Sequence, residues 1–436
     1  MNPDRPKPAL NPPAEEAATP TCPHFGPCGG CQLQNLTYTT QLTLKADHLS
    51  TLLAPLKLTL PEIQTHSSPP FAYRNRIRLT LATVDGQLRA GYIRNPPTDS
   101  VISTEGGASA AVVERPPHLH SVAIKSDRSF LPITQCPIAT PILWRAAAAF
   151  LALANAHHAA WLNTADQLEL FTAANESRLQ LTLYLRANPK RLPANLASTF
   201  SAFCEQLRTR IPELTGAGIA LLPITQDRSR RAEAAKSGPA WGAPGMLYGD
   251  VTTGEIATEY WVPRGAFFQV NRFLVETLAS IVTGNSEARR GTLAWDLYAG
   301  IGLFARPLAH QFDKVVAVEI AEPAATALAA GSKTGKLPNL RAVKSTTLDF
   351  LRAAVLQRDR PDLIVLDPPR TGAGPEICAL LARIAAPALI YVSCSPETLP
   401  RDLEVLTTSG YTISELHLLD LFPQTTHIET VAILTR

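Results

Sequence analysis

The chain has 436 residues, of which 45% are hydrophobic, with a formal net charge of +3 and an isoelectric point near 8.5. This length is enough for two or three domains with their own cores, and the mild positive charge permits a nucleic-acid partner without requiring one. No apolar run is long enough to span a membrane, and the chain does not start with a charged segment followed by an apolar core, so we expect neither a membrane anchor nor a secretion signal.

The amino-terminal stretch changes from a tail to a cysteine cluster. Residues 1–20 contain six prolines and little to bury, which predicts a disordered tail. Three cysteines in a C-x5-C-x2-C pattern follow, and a later cysteine before a proline is the best candidate for a fourth ligand; these are Cys22, Cys28, Cys31 and Cys136. Seven cysteines without a secretion signal suggest the reducing cytoplasm, where clustered cysteines bind metal. The spacing leaves open zinc, for which His24 could serve, and a four-thiolate iron–sulfur cluster.

An arginine-bearing strand follows the cluster. Residues 35–53 predict a helix that Pro55 ends, and residues 71–81 alternate basic and apolar side chains, which predicts a strand with one cationic face. The basic residues of this strand and of the hairpin after it are Arg74, Arg76, Arg78, Arg89 and Arg94. Such a face is either solvated or in contact with RNA phosphates. Residues 95–128 are predicted to be a loop insertion.

Composition divides the chain into three parts. Residues 1–20 are the tail, and residues 21–262 are an α+β region in which predicted helices surround a strand pair at 167–172 and 178–185. Residues 263–436 alternate strands with helices, which predicts a doubly wound, mostly parallel, Rossmann-like sheet. The loop around 227–231 is rich in arginine and precedes this last part.

A glycine-containing turn follows the first strand of the predicted sheet. Asp296 ends that strand, and Gly300 and Gly302 then let the backbone approach a nucleotide-like ligand. Glu319 ends the next strand, where a carboxylate can hold a ribose diol. A nicotinamide dinucleotide fits this pattern loosely, and S-adenosylmethionine fits it better, because an acidic residue at this strand suits it and no phosphate-binding element is needed.

Three further strand ends carry reactive side chains. Cys394 follows a buried strand and precedes a proline, Asp367 ends the preceding strand before two prolines, and Glu429 opens the final strand. Because open α/β sheets hold ligands at the carboxyl ends of their strands, we expect these groups to share one pocket.

A thiol and a carboxyl beside a methyl donor suit the alkylation of a carbon that is not nucleophilic, such as uracil C5. Addition of the Cys394 thiolate to C6 makes C5 nucleophilic, and Glu429 can later remove the C5 proton so that the thiolate leaves. Asp367 contacts the edge of the base or tunes the thiol.

These motifs resemble the RNA uridine-C5 methyltransferase family, in the iron–sulfur branch whose best-known members methylate 23S ribosomal RNA. The resemblance runs from Cys22 to the end of the chain, and the motifs that carry it are the cysteine cluster, 73–76, 268–271, 296–302, 367–370, 393–396 and 422–429.

The resemblance implies an S-adenosylmethionine-dependent RNA (uracil-C5-)-methyltransferase of the cytoplasm, with 23S rRNA as the first expected substrate, tRNA as the second, and no evident membrane or obligate protein partner. It implies that a 4Fe-4S cluster is bound by Cys22, Cys28, Cys31 and Cys136. It implies that Cys394 is the nucleophile and Glu429 the proton acceptor, and that the cofactor-binding residues are Gln269, Tyr298, Gly300, Gly302, Glu319 and Asp367.

Three other classes remain as alternatives. A nicotinamide-dependent dehydrogenase explains the glycines but gives Cys394 and Glu429 no role. A non-catalytic iron–sulfur RNA-binding protein keeps the cysteines and the arginines without needing a thiol–carboxyl pair. An RNA cytosine-C5 methyltransferase usually adds a cysteine after the proline of its motif, and none follows Asp367-Pro368-Pro369.

Overall fold

The structure of the protein is a computed structural model, which describes residues 17–93, 130–157, 159–188, 192–223, 235–254, 256–284 and 290–436. The predicted insertion at 95–128, Arg94, the arginine-rich loop at 227–231 and most of the predicted tail lie outside the described residues. Residues 17–20 of that predicted tail are described. The backbone N–H of Ala18 donates to the carbonyl of Asn35 at 2.9 Å, so these residues already pack on the cysteine-containing segment.

Strands follow one another in runs through the amino-terminal half, and helices and strands alternate along most of the carboxy-terminal half. The strands are β1 (Ile63–His66), β2 (Arg76–Val84), β3 (Gln87–Ile93), β4 (Phe130–Pro132), β5 (Ala165–Thr172), β6 (Leu179–Arg186), β7 (Leu214–Leu222), β8 (Lys236–Gly242), β9 (Gly245–Thr253), β10 (Ile256–Pro263), β11 (Gly291–Leu297), β12 (Phe312–Glu319), β13 (Leu340–Lys344), β14 (Leu363–Leu366), β15 (Ala388–Ser393), β16 (Thr412–Leu419) and β17 (Glu429–Thr435). The α-helices are α1 (Tyr38–Leu53), α2 (Pro141–Ala156), α3 (Leu196–Arg210), α4 (Val275–Thr283), α5 (Ala305–Leu308), α6 (Glu322–Thr334), α7 (Thr347–Gln357), α8 (Pro375–Ile384) and α9 (Leu399–Thr408).

The carboxy-terminal half is built on a sheet of eight strands among the described residues, in the order β1-β16-β17-β15-β14-β11-β12-β13. The neighbouring strands β15, β14, β11, β12 and β13 run parallel to one another. Strand β17 is antiparallel to both β15 and β16. Every residue of β14 is buried, as expected for a parallel strand covered on both faces. One apolar cluster packs α4, α5 and α6 on one face, and a second packs α1, α7, α8 and α9 on the other. The predicted doubly wound, mostly parallel sheet is confirmed.

Two elements from the amino-terminal region also pack on this sheet. Strand β1 pairs in parallel with β16, from Ile63 opposite Leu416 to His66 opposite Leu419. Leu49 of α1 is fully buried in the same apolar cluster as Trp295 of β11. The segment from α1 to β1, which composition places in the region 21–262, therefore completes the carboxy-terminal sheet.

The second sheet has the order β4-β3-β2-β5-β6-β7-β8 among the described residues. Its pairs are antiparallel except β6 with β7, and the apolar faces of α2 and α3 pack on one side. The predicted strand pair is observed as β5 and β6. The predicted hairpin after β2 turns at Asp85 and Gly86, whose φ angles of 50° and 74° suit a tight two-residue turn.

Within the part of the chain that the structure describes, no helix combines the length and the apolar character needed to cross a bilayer.

Candidate active site

The neighbouring parallel strands β12, β11, β14 and β15 end at one edge of the eight-stranded sheet, and the antiparallel strand β17 begins at the same edge. Leu366, the last residue of β14, pairs with Tyr391 of β15, and Ser393 of β15 pairs with Thr430 of β17. Cys394 therefore follows β15 where Glu429 precedes Thr430, and both residues emerge together. This register brings the predicted strand ends to one edge of the sheet, and a pocket shared by the reactive groups stays a prediction.

The Cys394 thiol lies in an acidic environment. The side chain is partly buried, and burial raises its pKa to about 12, with the negative charges of Glu429 and then Asp367 adding to the rise. The positive charge of Arg370 acts in the opposite direction. The thiol is therefore protonated at neutral pH, and the charge of Arg370 and a backbone hydrogen bond both favour the thiolate.

The two carboxyl groups beside the thiol also favour their neutral forms. Burial raises the pKa of Asp367 to about 7 and raises that of Glu429 well above its ordinary value, with the charge of Asp367 contributing to the second shift. Arg370 again opposes the shift of Glu429. The backbone N–H of Asp367 donates to the carbonyl of Leu297 at 3.3 Å, which fixes the end of β14 against the end of β11.

The glycine turn after β11 is held by two more carboxyl groups. Asp296 is fully buried, and one of its oxygens accepts from the N–H of Ala305 at 2.9 Å while the other has no partner among the described residues. Burial raises its pKa, and the charges of Asp367 and Glu319 raise it further. The Glu319 carboxylate accepts from the N–H of Gly300 at 2.8 Å and from that of Ala321 at 2.6 Å.

The turn itself leaves room for a ligand at Gly300. Gly300 and Gly302 have φ angles of 57° and 91°, which glycine adopts without strain. A Cβ at Gly300 would meet no atom of the described residues within 4 Å, whereas one at Gly302 would lie 2.6 Å from Leu328 Cδ1. Among the described residues Gly300 therefore borders open space, and a larger residue at Gly302 would have to displace the Leu328 side chain of α6.

Two other predicted cofactor residues, Tyr298 and Gln269, each contact a neighbouring segment of the fold. Tyr298 has a φ of 64°, and its hydroxyl hydrogen bonds with Thr347 at the start of α7. Gln269 is buried, and its backbone carbonyl accepts a hydrogen bond from the side-chain amide of Asn75 at 3.0 Å. The backbone N–H of Asn75 also donates to Val270, so the motifs at 73–76 and 268–271 pack together. Whether Gln269 and Tyr298 contact a cofactor stays a prediction.

Two apolar side chains that the sequence analysis did not single out lie next to these residues in the chain. Phe267 is 66% exposed two positions before Gln269, and Ile320 is 55% exposed directly after Glu319. Large apolar side chains beside a polar site mark a ligand-binding surface more often than isolated ones do. Their exposure could be found only in the structure.

The four cysteines of the predicted metal site are brought near one another. Burial raises the pKa of Cys28 to about 11 and that of Cys31 to about 12, and the charges of Cys136 and Cys22 add to both shifts. The pKa of Cys136 is raised as well, and burial is the largest cause. His24, the alternative ligand, instead hydrogen bonds with Thr134 through its Nε2 at 3.3 Å.

The donor set fits a thiolate-bound group, whereas the side-chain positions are not those of a closed metal site. Across the described residues, no three His, Cys, Asp or Glu side chains converge closely enough to hold a metal ion. All four thiols are nevertheless free, and the charges of Cys22 and Cys136 contribute to the raised pKa values of Cys28 and Cys31. The metal assignment is therefore not established by the fold.

Comparisons with known proteins agree with this site. Residues 250–436 match the family model described as tRNA (Uracil-5-)-methyltransferase. A 23S rRNA (uracil(1939)-C(5))-methyltransferase from Pseudomonas putida is 30% identical over 428 residues, covering 96% of this chain and 80% of the relative. An uncharacterised RNA methyltransferase from Thermotoga maritima is 28% identical, covering 97% of this chain and 86% of the relative.

A solved structure shares the fold. The tRNA (uracil-54, C5)-methyltransferase of Pyrococcus abyssi, in complex with S-adenosyl-L-homocysteine, superimposes with a TM-score of 0.67 at 20% identity, covering 93% of this chain and 86% of that one. The α/β methyltransferase fold with its Rossmann-like sheet is thereby established. This fold, the family match and the relatives that cover nearly all of the chain together show that the chain belongs to the RNA (uracil-5-)-methyltransferase family. It is an S-adenosylmethionine-dependent enzyme that methylates uracil C5 in RNA.

Proposed function

We propose that this enzyme methylates C5 of a uridine in 23S rRNA, with Cys394 as the nucleophile and Glu429 as the base that removes the C5 proton. The observation that carries the proposal is the convergence of Cys394 with Glu429 and Asp367 at one sheet edge, where the charges of both carboxyls raise the pKa of the thiol. A thiol and a base in one pocket are the two groups that C5 alkylation requires.

Cys394 acts first. Its thiol gives up a proton to water, the sulfur forms a bond to C6 of the uracil, and the electrons of the C5–C6 double bond move to the C4 carbonyl oxygen as an enolate. Arg370 supports this step, because its positive charge favours the thiolate against the acidic surroundings. C5 is then a nucleophile.

S-adenosylmethionine, when bound, would supply an electrophilic methyl group to C5 and leave as S-adenosylhomocysteine, while the enolate returns to the C4 carbonyl. Glu429 then removes the remaining proton from C5. The electron pair of the broken C5–H bond restores the double bond and expels the sulfur from C6. Glu429 suits this role because burial gives its carboxylate a raised pKa, which makes it a stronger base than a solvated glutamate.

Asp367 is placed to read the base. With a pKa near 7, it is present in both protonation states at neutral pH. A neutral carboxyl can donate to a carbonyl oxygen of uracil and accept from its N3–H, the two kinds of group on that edge. The exposed ring of Phe267 offers a surface on which a base that has left its stack can pack.

The acidic surroundings favour a cationic cofactor. The negative charges of Asp367 and Glu319 both raise the pKa of Asp296, so three carboxyl groups lie near the turn at Gly300. A sulfonium is stabilised by such a field, whereas the pyrophosphate of a nicotinamide dinucleotide is repelled. We expect Glu319 to accept hydrogen bonds from the ribose diol and Ile320 to pack against the adenine, with Gly300, Tyr298 and Gln269 lining the remainder.

The choice of RNA rests on the relatives, of which the Pseudomonas putida protein is named for a 23S rRNA position. Incubating the enzyme separately with 23S rRNA and with tRNA that lack 5-methyluridine, followed by nucleoside mass spectrometry, tests it. We expect 5-methyluridine in 23S rRNA alone. Product in tRNA alone would assign the substrate to tRNA and leave the mechanism intact, and 5-methylcytidine would overturn the assignment of the base.

We further propose that Cys22, Cys28, Cys31 and Cys136 hold a 4Fe-4S cluster in the cytoplasm. Four thiolates can bind such a cluster, and it would tie the segment at 22–31 to the segment before α2. All seven cysteines are free, which suits a reducing compartment. Zinc is the competing occupant, and metal analysis distinguishes the two.

A further inference from the structure

The loop that delivers Glu429 is held from a distant part of the chain. We call residues Asp420–Ile428, between β16 and β17, the base loop. Gln424 in this loop is buried and has a φ of 69°, a left-handed conformation that a glutamine side chain disfavours. The base loop therefore needs contacts from outside to keep this shape.

Gln41 of α1 provides the first of these contacts. Its side chain is fully buried, and its Oε1 accepts from the backbone N–H of Gln424 at 3.0 Å. Its Nε2 donates to Gln424 Oε1 at 3.0 Å and to the carbonyls of Leu33 and Leu36 at 2.9 and 3.1 Å. One amide thus binds both the backbone and the side chain of the left-handed residue.

Lys45 lies one helical turn after Gln41 and faces the same way. Its ammonium group is 2.6 Å from Asp420 Oδ1 and 3.1 Å from the carbonyl of Phe422, and both charged side chains are almost fully buried. Gln41 and Lys45 together hold the first half of the base loop. Their buried polar groups are stabilised by contacts to that loop and to the segment at 33–36.

The cysteine segment supplies the second anchor. The backbone N–H groups of Gln32 and Leu33, which follow Cys31 directly, both donate to the carbonyl of Gln424 at 3.0 Å. Tyr73 adds a hydrogen bond from its hydroxyl to the carbonyl of Pro423 at 3.1 Å. The base loop is thus held to α1 and to the cysteine segment as one unit, five residues before the carboxylate that removes the proton.

We propose that Gln41, with Lys45 beside it, is a positioning residue that sets the place of the Glu429 carboxylate through the base loop. This rests on the proposed role of Glu429. Misplacing a catalytic group by about 1 Å costs on the order of 10²-fold in rate. Loss of the Gln41 amide frees the left-handed Gln424 to relax, which moves the base and leaves Cys394, on a different strand, in place.

The proposal predicts a specific kinetic defect in the Gln41→Met holoenzyme. Methyl transfer in a single turnover should stay within about threefold of the wild type, while proton removal and release of the thiolate slow by roughly 10- to 100-fold. The methylated RNA should then accumulate as a covalent adduct on a denaturing gel. Leu49→Val, a buried apolar change on the same helix, is the matched control and should release its adduct at the wild-type rate.

Glu429→Gln, measured in parallel, separates this inference from the proposed function. If Glu429→Gln accumulates the covalent adduct but Gln41→Met releases its adduct at the wild-type rate, only the positioning role of Gln41 is overturned. No adduct in Glu429→Gln overturns the role of the base and this inference with it. Equal adduct in Leu49→Val and Gln41→Met, at matched losses of melting temperature, also overturns the inference, because general loosening of α1 would explain both.

A second variant decides the matter if Gln41→Met does not fold. Gln424→Leu leaves α1 untouched and removes the side-chain amide that Gln41 binds, while residue 424 still has to keep the disfavoured positive φ. Slower adduct release in Gln424→Leu supports the proposal, and wild-type release in this folded variant overturns it.

Discussion

Arg76 Nη1 lies 3.4 Å from Glu169 Oε1, inside the protein rather than on a cationic face. Arg78 pairs with the same carboxylate, which is almost fully buried, and also donates to the hydroxyl of Tyr184 at 2.9 Å. The Arg76 guanidinium also stacks 4.1 Å from the centre of the Phe171 ring. The expected cationic face is therefore partly neutralised: Arg76 is 13% exposed and paired, whereas Arg78 is paired but still 36% exposed. A strand pattern does not show which charge the neighbouring strand contributes, and contact of this strand with RNA stays a prediction.

Arg76→Ala is expected to affect stability rather than RNA binding. Removing Arg76 leaves the buried Glu169 paired with Arg78 alone and loses the stacking on Phe171, which costs roughly 2 kcal/mol in the free energy of unfolding. Urea unfolding measures that loss. In Arg76→Ala, the slope of log RNA affinity against log salt concentration should be unchanged. Replacing the exposed Arg89 by alanine should lower the magnitude of that slope by about 0.9 if Arg89 contacts a phosphate. A stable Arg76→Ala with a flatter slope would contradict the internal role.

Arg370→Gln is expected to make Cys394 less reactive. Because the positive charge of Arg370 lowers the pKa of the Cys394 thiol, its removal raises that pKa further and reduces the thiolate fraction at any pH below it. Alkylation of the Cys394 peptide at pH 8.5, followed by mass spectrometry, should slow by roughly two- to tenfold. Arg352→Gln on α7 is the control and should react as the wild type does. Faster alkylation in Arg370→Gln would reverse the assigned role.

The stability of the unliganded protein should depend on Asp367 through pH. Burial raises the pKa of this carboxyl from 3.8 to about 7, so its contribution to stability is fully present below pH 4 and is lost as the pH rises through 7. Asp367→Asn should therefore gain stability relative to the wild type as the pH rises from 5 to 8, by at most about 1.4 kcal/mol for each pH unit up to about 7. Urea unfolding at both pH values measures this. The exposed Asp313→Asn is the control, and identical pH dependence in the wild type and Asp367→Asn would exclude the shift.

Anaerobically purified protein is expected to be brown and to contain iron and sulfide. Cys22→Ser and Cys136→Ser should lose the colour and fold poorly, because each removes one thiolate ligand. Cys204→Ser, which changes a buried cysteine elsewhere, should keep both metal and colour. A colourless, folded wild type with stoichiometric zinc would assign the site to zinc.

Local patterns in the sequence were sufficient to predict the sheet edge. Buried apolar runs that end at Asp367 and Cys394, and the glycines after Asp296, each identify a strand and its carboxyl end. A parallel sheet brings such ends together whatever the exact strand order. The position of Glu429 beside Cys394 additionally depends on the antiparallel β17, whose pairing with β15 the sequence did not specify.

The contacts of α1 could not be predicted in the same way. Gln41 and Lys45 interrupt the apolar face of the helix one turn apart, and this was the only local signal that they are buried against polar partners. Those partners, Asp420 and Gln424, lie 375 and 383 residues later in the chain. The pairing of β1 with β16 was missed for the same reason, since a four-residue edge strand carries no pattern that identifies its neighbour.

The adduct formed by Glu429→Gln tests the central claim most directly. Replacing the base leaves attack by Cys394 and methyl transfer possible, while proton removal slows by on the order of 10² to 10⁴-fold. With RNA and S-adenosylmethionine, Glu429→Gln should give a shifted, heat-resistant band on a denaturing gel, and the Cys394→Ala, Glu429→Gln double variant should give none. A shifted band of equal intensity in the double variant, or wild-type turnover without a band in Glu429→Gln, would contradict the roles assigned to these two residues.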